Sequence, residues 1–376
     1  MSLPPIRVLF VVPDLRFGGA ERHAATLIPQ MDRTKFSTSV ICIGKEGELF
    51  SELTKAGIQA EALHLGSKWK GPLALVRLIA HMRRTRPDVV VVRGYNAEML
   101  GRIAALAAGA KHSVVWVHDI GNIAPRTWLR NLVGRALMPS TTRHFGVADA
   151  QRPHMMSGLH CPAEKIRIIH NGVDAELFSV EKEKAELAEF GIASDDFVVG
   201  IVAALRPEKD HATLLRSVKI LLADLPNVKI LLVGDGPERA NLEQLSVELG
   251  IADSVCFTGS RSDVRKILLA IDVFVLCSMT ECFPLSVLEA MACARPVVCT
   301  GVGGIGEMVE HGVNGYVVPA HDSQALSDRI KAVLSNPELA SQMGQAGRRR
   351  VEDEFTLEQS VAATERAFEE IVGRRA

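Results

Sequence analysis

The 376-residue sequence predicts an α/β protein with two doubly wound parallel sheets, and three observations carry that reading. Short runs of β-branched residues alternate with longer amphipathic segments, the pattern of βαβ units around a buried parallel sheet. The alternation occurs twice, on either side of a highly charged stretch from Phe178 to Phe190 that contains no strand-forming run. The length exceeds that at which one hydrophobic core keeps growing, so two domains are expected.

In the first half the strand-forming runs are Arg7 to Val12, Thr38 to Ile43, Val89 to Arg93, Ser113 to His118, Arg143 to Val147 and Ile166 to Ile169. Amphipathic segments such as Ala20 to Met31 and Leu73 to Thr85 fall between them and read as helices. After the charged stretch a fresh strand appears at Val198 to Val202. The series continues with Val228 to Val233, Val255 to Phe257, Val273 to Leu276, Pro296 to Cys299 and Tyr316 to Val318, separated by helices such as Ala212 to Leu222 and Leu285 to Cys293. The expected division is 1–178, 179–355 and 356–376, the last holding a polar-faced helix, Thr356 to Ile371, that returns toward the first domain. Two doubly wound domains facing each other would place a ligand cleft at the carboxyl ends of both sheets.

Charge is balanced overall, 43 Lys and Arg against 44 Asp and Glu, and no nucleic-acid partner is expected. The balance hides an asymmetry. Residues 1–178 carry 23 basic against 14 acidic side chains, or +9, and the remainder 20 against 30, or −10. The first half is therefore expected to meet something anionic, either a membrane surface or a phosphorylated acceptor. Seven cysteines without a C-x-x-C pair fit a reducing cytoplasm, at most peripheral to the inner face of a membrane. The start MSLPPIRVLFVVP lacks a basic leader and a cleavage site, so no signal peptide is expected, and no apolar run is long enough to span a bilayer.

The candidate site begins in VVPDLRFGGAERHAATL, where Gly18 and Gly19 lie between a strand and a helix. Paired glycines there either let backbone approach a ligand or serve turn geometry alone. In VAALRPEKDHATLL, Arg206 supplies a planar fork of donors and Lys209 a compact charge at a strand's carboxyl edge, a pair suited to a diphosphate. The alternative is a solvated loop with a Glu208 to Lys209 pairing. Gly234 in LLVGDGPERANL and Gly259 in FTGSRSD sit in turns that either border a nucleotide and its base or only reverse the chain.

The sharpest signal is TECFPLSVLEAMACARPVV. Glu281 and Glu289 are eight positions apart, slightly over two helical turns, which would direct both carboxylates to one side. Between them Cys282, Phe283 and Pro284 form a turn and Leu285 opens an apolar helix whose free N–H groups favour an anion. Surrounded by apolar residues, Glu289 needs hydroxyl or cationic partners, and ribose hydroxyls would serve. Downstream, TGVGGIGEMV brings Gly303 and Gly304 before another helix. In the first domain His118 ends the strand SVVWVH, either as a packing residue or as a group facing the expected cleft. No histidine or cysteine spacing suggests a metal site. The stretch APRTWLRNLVGRALMPSTTR interleaves Arg126, Arg130, Arg135 and Arg143 with apolar residues, reading either as a lipid-facing surface or, preferably, as a helix covering the sheet with snorkelling arginines.

In family order, GGAERHAATL, RPDVVVVRGYNAEMLGRIAA, WVHD, KIRIIHNGVDAELF, LRPEKDHATLL, LLVGDGPERANLE, ECFPLSVLEAMACARPVV and GGIGEMVEHGVNGYVVP resemble the family 4 retaining glycosyltransferases of the GT-B fold, the glycosyl transferases group 1 type. The resemblance covers nearly the whole chain. It implies two Rossmann-like domains, with a UDP-, GDP- or ADP-sugar donor held mainly by the second. A hydroxyl acceptor (lipid-linked sugar, saccharide or small alcohol) would be held mainly by the first. By this resemblance Glu281 contacts the transferred sugar, Glu289 the ribose, and Arg206 with Lys209 the diphosphate. Gly18, Gly19 and His118 approach the reacting groups, and no essential metal or other cofactor is implied. Asn171 to Asp174 resemble the family's NGVD signature but are explained by an Asn-Gly turn. Two departures stand out. Ala294 and Arg295 follow the helix where the family often has glycine, and Arg93 and Tyr95 replace its more usual His or Ser, marking acceptor specificity.

The resulting expectation is sugar transfer with retention of anomeric configuration, in cell-envelope polysaccharide, lipopolysaccharide or glycolipid synthesis. A nucleotide-sugar epimerase of the same architecture and a noncatalytic nucleotide-sugar-binding protein are the competing classes.

Overall fold

The computed structural model describes residues 3–16, 18–65, 70–121, 127–178, 187 and 189–374, and the side chains of all of these except 95 and 96. The first sheet comprises β1 (Ile6–Val12), β2 (Phe36–Cys42), β3 (Gln59–Ala62), β4 (Val89–Arg93), β5 (His112–Trp116), β6 (Arg143–Gly146) and β7 (Ile166–Ile168). Its order is β3-β2-β1-β4-β5-β6-β7, and every pairing is parallel. The apolar runs of β1 and β4 are buried on both faces, as a parallel sheet covered by helices requires. β3 does not stand out in the sequence because QAEA at a sheet edge alternates exposed and half-exposed side chains. The helices of this part are α1 (Gly19–Gln30), α2 (Phe50–Lys55), α3 (Gly71–Thr85), α4 (Tyr95–Ala108) and α5 (Trp128–Ala136).

The second sheet comprises β8 (Phe197–Val202), β9 (Val228–Val233), β10 (Val255–Gly259), β11 (Val273–Leu276), β12 (Val297–Thr300) and β13 (Gly315–Val318). It is again all parallel, in the order β10-β9-β8-β11-β12-β13. Its helices are α6 (His211–Leu221), α7 (Arg239–Glu248), α8 (Val264–Ala270), α9 (Leu285–Ala292), α10 (Ile305–Met308), α11 (Ser323–Leu334) and α12 (Pro337–Glu354), followed by α13 (Leu357–Ile371). Strand order reverses between β1 and β4 in one sheet and between β8 and β11 in the other, so each has a switch point where ligands bind in doubly wound folds.

The chain divides into two compact units, Met1–Asn171 with Glu358–Ala376, and Gly172–Leu357. In the first unit, Phe368 of α13 is fully buried and meets Phe10 at 6.3 Å, Phe145 at 5.9 Å and Phe36 at 6.4 Å between ring centroids. The NGVD turn has a packing reason. Val173 bonds the backbone of Phe355 and Leu357, and a side chain at Gly172 would overlap the Thr356 carbonyl. Arg348 then bonds the carbonyls of Ala175 (3.2 Å), Phe178 (2.6 Å) and Ala292 (2.5 Å). Most of the charged stretch after Phe178 lies outside the described residues.

Candidate active site

At the switch point of the second sheet, the loop after β8 and the loop after β11 are tied together by their backbones and by one ion pair. The Met279 N–H donates to the Glu208 carbonyl at 2.8 Å, and the Cys277 thiol donates to the carbonyls of Lys209 and Asp210, each at 3.3 Å. Asp210 turns the chain with φ +47°, a left-handed conformation that Asp tolerates, and its side chain caps α6. Lys209 Nζ is thereby brought to Glu281 Oε1 at 2.5 Å, and the fully buried Ser278 hydroxyl donates to the same oxygen at 2.6 Å. Thr300 Oγ1 of β12 in turn donates to the Ser278 carbonyl at 2.6 Å.

The Glu281 side chain is 9% exposed and that of Lys209 23%, so the pair lies at an edge between core and solvent. An ammonium has three donors, so contact with Glu281 leaves Lys209 able to bond further oxygens. Arg206, one turn earlier, holds a 57% exposed guanidinium 3.9 Å from Glu208. It shares the edge without touching Glu281.

Spacing does not set the direction of Glu281, because α9 begins only at Leu285. Pro284, with φ −70° and ψ 124°, keeps the preceding turn out of the helix, so the two-turn periodicity does not extend back to Glu281. Glu281 is held instead by Lys209 and Ser278. Gly303 supports the same turn: its φ is +54°, and any side chain there would overlap the Glu281 carbonyl. The Gly304 N–H donates to the Cys282 carbonyl at 3.0 Å. Phe283 is 2% exposed and packs edge-on against Phe355 at 5.2 Å, so what it offers a ligand is backbone. The first turn of α9 has no side-chain cap, and Glu289 is half-buried within that helix.

The glycine turns behind this edge are linked to it. The Gly234 N–H, at φ +141°, donates to the Gly259 carbonyl at 2.9 Å, and a side chain at Gly234 would overlap the Ala203 carbonyl. Leu205 exchanges backbone bonds with Asp235 and Glu238, each 3.0 Å, which fixes the loop carrying Arg206.

The first unit has its own polar cluster at the carboxyl ends of β4 and β5. Gly18 and Gly19 open α1, and about one turn in, the buried His23 faces Arg93 and Trp116. Arg93 Nη2 lies 2.8 Å from the Ala20 carbonyl, 3.0 Å from His23 Nδ1 and 2.5 Å from His118 Nε2. Burial, then the Arg93 charge, then His23, push the His118 imidazole well below its ordinary pKa. Burial lowers Arg93 itself to about 10, still cationic at neutral pH. Arg93 is 3% exposed, so its guanidinium is committed inward rather than displayed to an acceptor. Tyr95 lies outside the described side chains. The sequence gives no signal for His23 or Trp116, because only the fold brings α1 onto β4 and β5.

The basic helix also differs from expectation. In α5 the arginine of the first turn points inward: Arg130 bonds Glu98 at 3.0 Å, and Glu98 also meets Arg102 at 3.3 Å. The apolar residues face out, with Trp128 76%, Leu132 57% and Leu129 52% exposed. The helix therefore does not cover the sheet with its apolar side. Arg126 lies outside the described residues.

Two Rossmann-like units with these strand orders define the GT-B class of α/β proteins. Residues 17–177 match the family described as Glycosyltransferase Family 4 and residues 182–350 the family described as Glycosyl transferases group 1. The chain belongs to this glycosyltransferase family. It is 30% identical over 211 residues to the N-acetyl-alpha-D-glucosaminyl L-malate synthase of Bacillus anthracis, covering 56% of this chain and 55% of that protein. To the D-inositol 3-phosphate glycosyltransferase of Mycolicibacterium smegmatis it is 31% identical over 264 residues, 68% of this chain and 57% of that one. The chain thus spans about half the length of the curated relatives it matches. Among solved structures it superposes on Anabaena HepE in complex with UDP and glucose with TM-score 0.86 at 23% identity, covering 96% of this chain and 99% of that one. Sucrose-phosphate synthase from Thermosynechococcus elongatus gives TM-score 0.80 at 19% identity, covering 98% and 100%. At these identities the likeness is one of fold.

Proposed function

We infer that the protein transfers a sugar from a nucleoside-diphosphate sugar to a hydroxyl acceptor, with retention at the anomeric carbon and without an essential metal. The observation that carries this reading is the Lys209–Glu281 contact at 2.5 Å on the switch-point edge of the second sheet, beside Arg206 and the uncapped start of α9. These are a cationic cradle and a carboxylate in one place. Lys209, Arg206 and the helix N–H groups would neutralise the departing diphosphate, the preorganised role that a metal plays elsewhere. Glu281 would bond the hydroxyls of the transferred sugar, Glu289 those of the ribose, and the turns at Gly234 and Gly259 would border the nucleotide. In a front-face mechanism the anomeric C–O bond to phosphate breaks and the acceptor oxygen bonds the same face. The acceptor's proton passes to the leaving phosphate oxygen.

The relatives' names support this class. One is a synthase joining a glucosaminyl unit to L-malate, another a glycosyltransferase of D-inositol 3-phosphate, and a third, 26% identical, a galactosyltransferase onto a diphosphoundecaprenol-linked sugar in Escherichia coli. All three named acceptor molecules are anionic, and the +9 charge of residues 1–178 suits such an acceptor. A place in envelope polysaccharide or glycolipid synthesis, in the reducing cytoplasm, follows from that chemistry.

Proton NMR of the product tests the reading: the anomeric coupling should match that of the donor, and inversion would overturn it. Activity should survive EDTA, and loss restored by Mg²⁺ alone would refute metal independence. Isomerised donor formed without acceptor would establish the epimerase instead. A membrane contact is favoured by the outward Trp128, Leu129 and Leu132 of α5. No helix among the described residues is long and apolar enough to cross a membrane.

A further inference from the structure

Arg93 is the last residue of β4 and, at 3% exposure, among the most buried charges in the first unit. Its Nη2 faces three acceptors at once: the Ala20 carbonyl, His23 Nδ1 and His118 Nε2, at 2.8, 3.0 and 2.5 Å. The guanidinium lies over the Trp116 ring at 5.1 Å, and the Trp116 and His118 rings are nearly parallel, 23° apart at 6.1 Å. A guanidinium only donates. Each imidazole nitrogen facing it must therefore carry a lone pair. For His23 that nitrogen is Nδ1, and for His118 it is Nε2.

We propose that Arg93 locks His118 in the neutral tautomer whose proton sits on Nδ1, so that His118 meets substrate as a fixed hydrogen-bond donor and not as an acid or base. A proton on Nε2 would set N–H against N–H at 2.5 Å, and a ring protonated on both nitrogens would in addition place two cations in contact inside a nearly dry cluster. His118 is partly exposed, so Nδ1 is the nitrogen left to meet a ligand. The charged and titratable groups around it act in the same direction or stand aside. His23 from α1 adds to the lowering, Glu21 of α1 supports the positive charge of Arg93, and Asp119 is occupied by His154 at 3.3 Å and by the Gly121 N–H at 3.1 Å. Arg93 is thus a positioning residue acting through His118. That His118 faces substrate rests on the function proposed above; the tautomer does not.

Nitrogen-15 spectra of the full chain labelled at its histidine rings, assigned with His118→Gln, test the lock directly. The expected wild-type signature is a protonated Nδ1 and a bare Nε2, unchanged between pH 8 and pH 5. A proton on Nε2, or an imidazolium signature emerging within that range, would overturn the proposal. In Arg93→Met, His118 is expected to titrate higher than in the wild type, toward the ordinary value of about 6.5, with the second tautomer appearing. A folded Arg93→Met variant with the wild-type spectrum would also overturn it. Arg93→Lys, which keeps a donor and a charge, is expected to retain the Nδ1–H form, and should the methionine variant not fold, loss of that form in the lysine variant would refute the lock. Should the spectra behave as expected while no donor sugar is turned over, the function fails and the lock stands.

Discussion

Lys209 and Glu281 are the residues on which the proposed chemistry rests, and in the structure each is the other's charged partner. Removing Lys209 leaves a carboxylate with 9% exposure and only the Ser278 hydroxyl, whereas removing both leaves no unpaired charge. Urea unfolding of Lys209→Ala, Glu281→Ala and the double variant should therefore show a coupling of about 0.5–3 kcal/mol, with the double less damaging than the sum. Arg206 is exposed and makes only the 3.9 Å pair, so Arg206→Ala should leave stability unchanged while weakening nucleoside-diphosphate affinity about tenfold to a hundredfold by calorimetry. His211, the first residue of α6, is 2% exposed with neither ring nitrogen hydrogen-bonded, and burial, aided by the Lys209 charge, lowers it to about 4. The unfolded chain then binds a proton that the folded chain refuses between about pH 6.5 and 4. Stability should fall with pH through that window, by roughly 3 kcal/mol from this group. Urea midpoints at pH 7 and pH 4.5 for wild type and His211→Met check it: the variant's dependence should be the shallower.

At the scale of elements, strands rich in β-branched residues were legible because a doubly buried parallel strand leaves no other pattern, while the polar edge strand β3 was not. The residue types of the candidate motif leading into α9 stand out in the sequence, but the reason for its geometry does not. Pro284 ends the helical register before Glu281, and Lys209 after β8, Ser278 after β11 and Gly303 after β12 together explain where that carboxylate lies. Of the His23–Arg93–His118 cluster, His118 and Arg93 stand out in the sequence as separate residues, but His23 and the contact among the three do not, since the cluster needs α1, β4 and β5 side by side. One departure from the family now has a physical content. Ala294, where glycine is usual, sits at φ +51° just beyond α9, a conformation that costs a β-carbon about 1–2 kcal/mol. Ala294→Gly should raise stability by about 1 kcal/mol, less the entropy that glycine adds to the unfolded chain, and thermal unfolding with a lower midpoint would contradict this. For α13, Phe368→Ala should cost about 3–5 kcal/mol through the cavity left among Phe10, Phe36 and Phe145.

For the molecule as a whole, two units of similar topology carry opposite charge: Met1–Asn171 with Glu358–Ala376 has 26 basic against 16 acidic side chains, or +10, and Gly172–Leu357 has 17 against 28, or −11. If the acidic second half binds an anionic nucleotide, as proposed, local placement must achieve it, which makes the edge formed by Arg206, Lys209 and α9 the more decisive. The basic half carries the outward apolar side of α5, and because Arg130 is turned inward onto Glu98, the informative variant is Trp128→Ser/Leu132→Ser. Flotation with anionic vesicles should be reduced in that variant if the helix docks on lipid, and equal flotation of both forms would remove the membrane contact. The central claim is that the carboxyl edge of the second sheet breaks the bond between a sugar and its nucleotide. Release of nucleoside diphosphate from a panel of UDP-, GDP- and ADP-sugars, with and without candidate acceptors, by wild type and Glu281→Ala is its most direct measurement. One donor should be consumed by wild type and slowed about 10²–10³-fold in the variant, with nucleotide binding largely kept; no turnover of any donor, or equal rates in the two proteins, would contradict it.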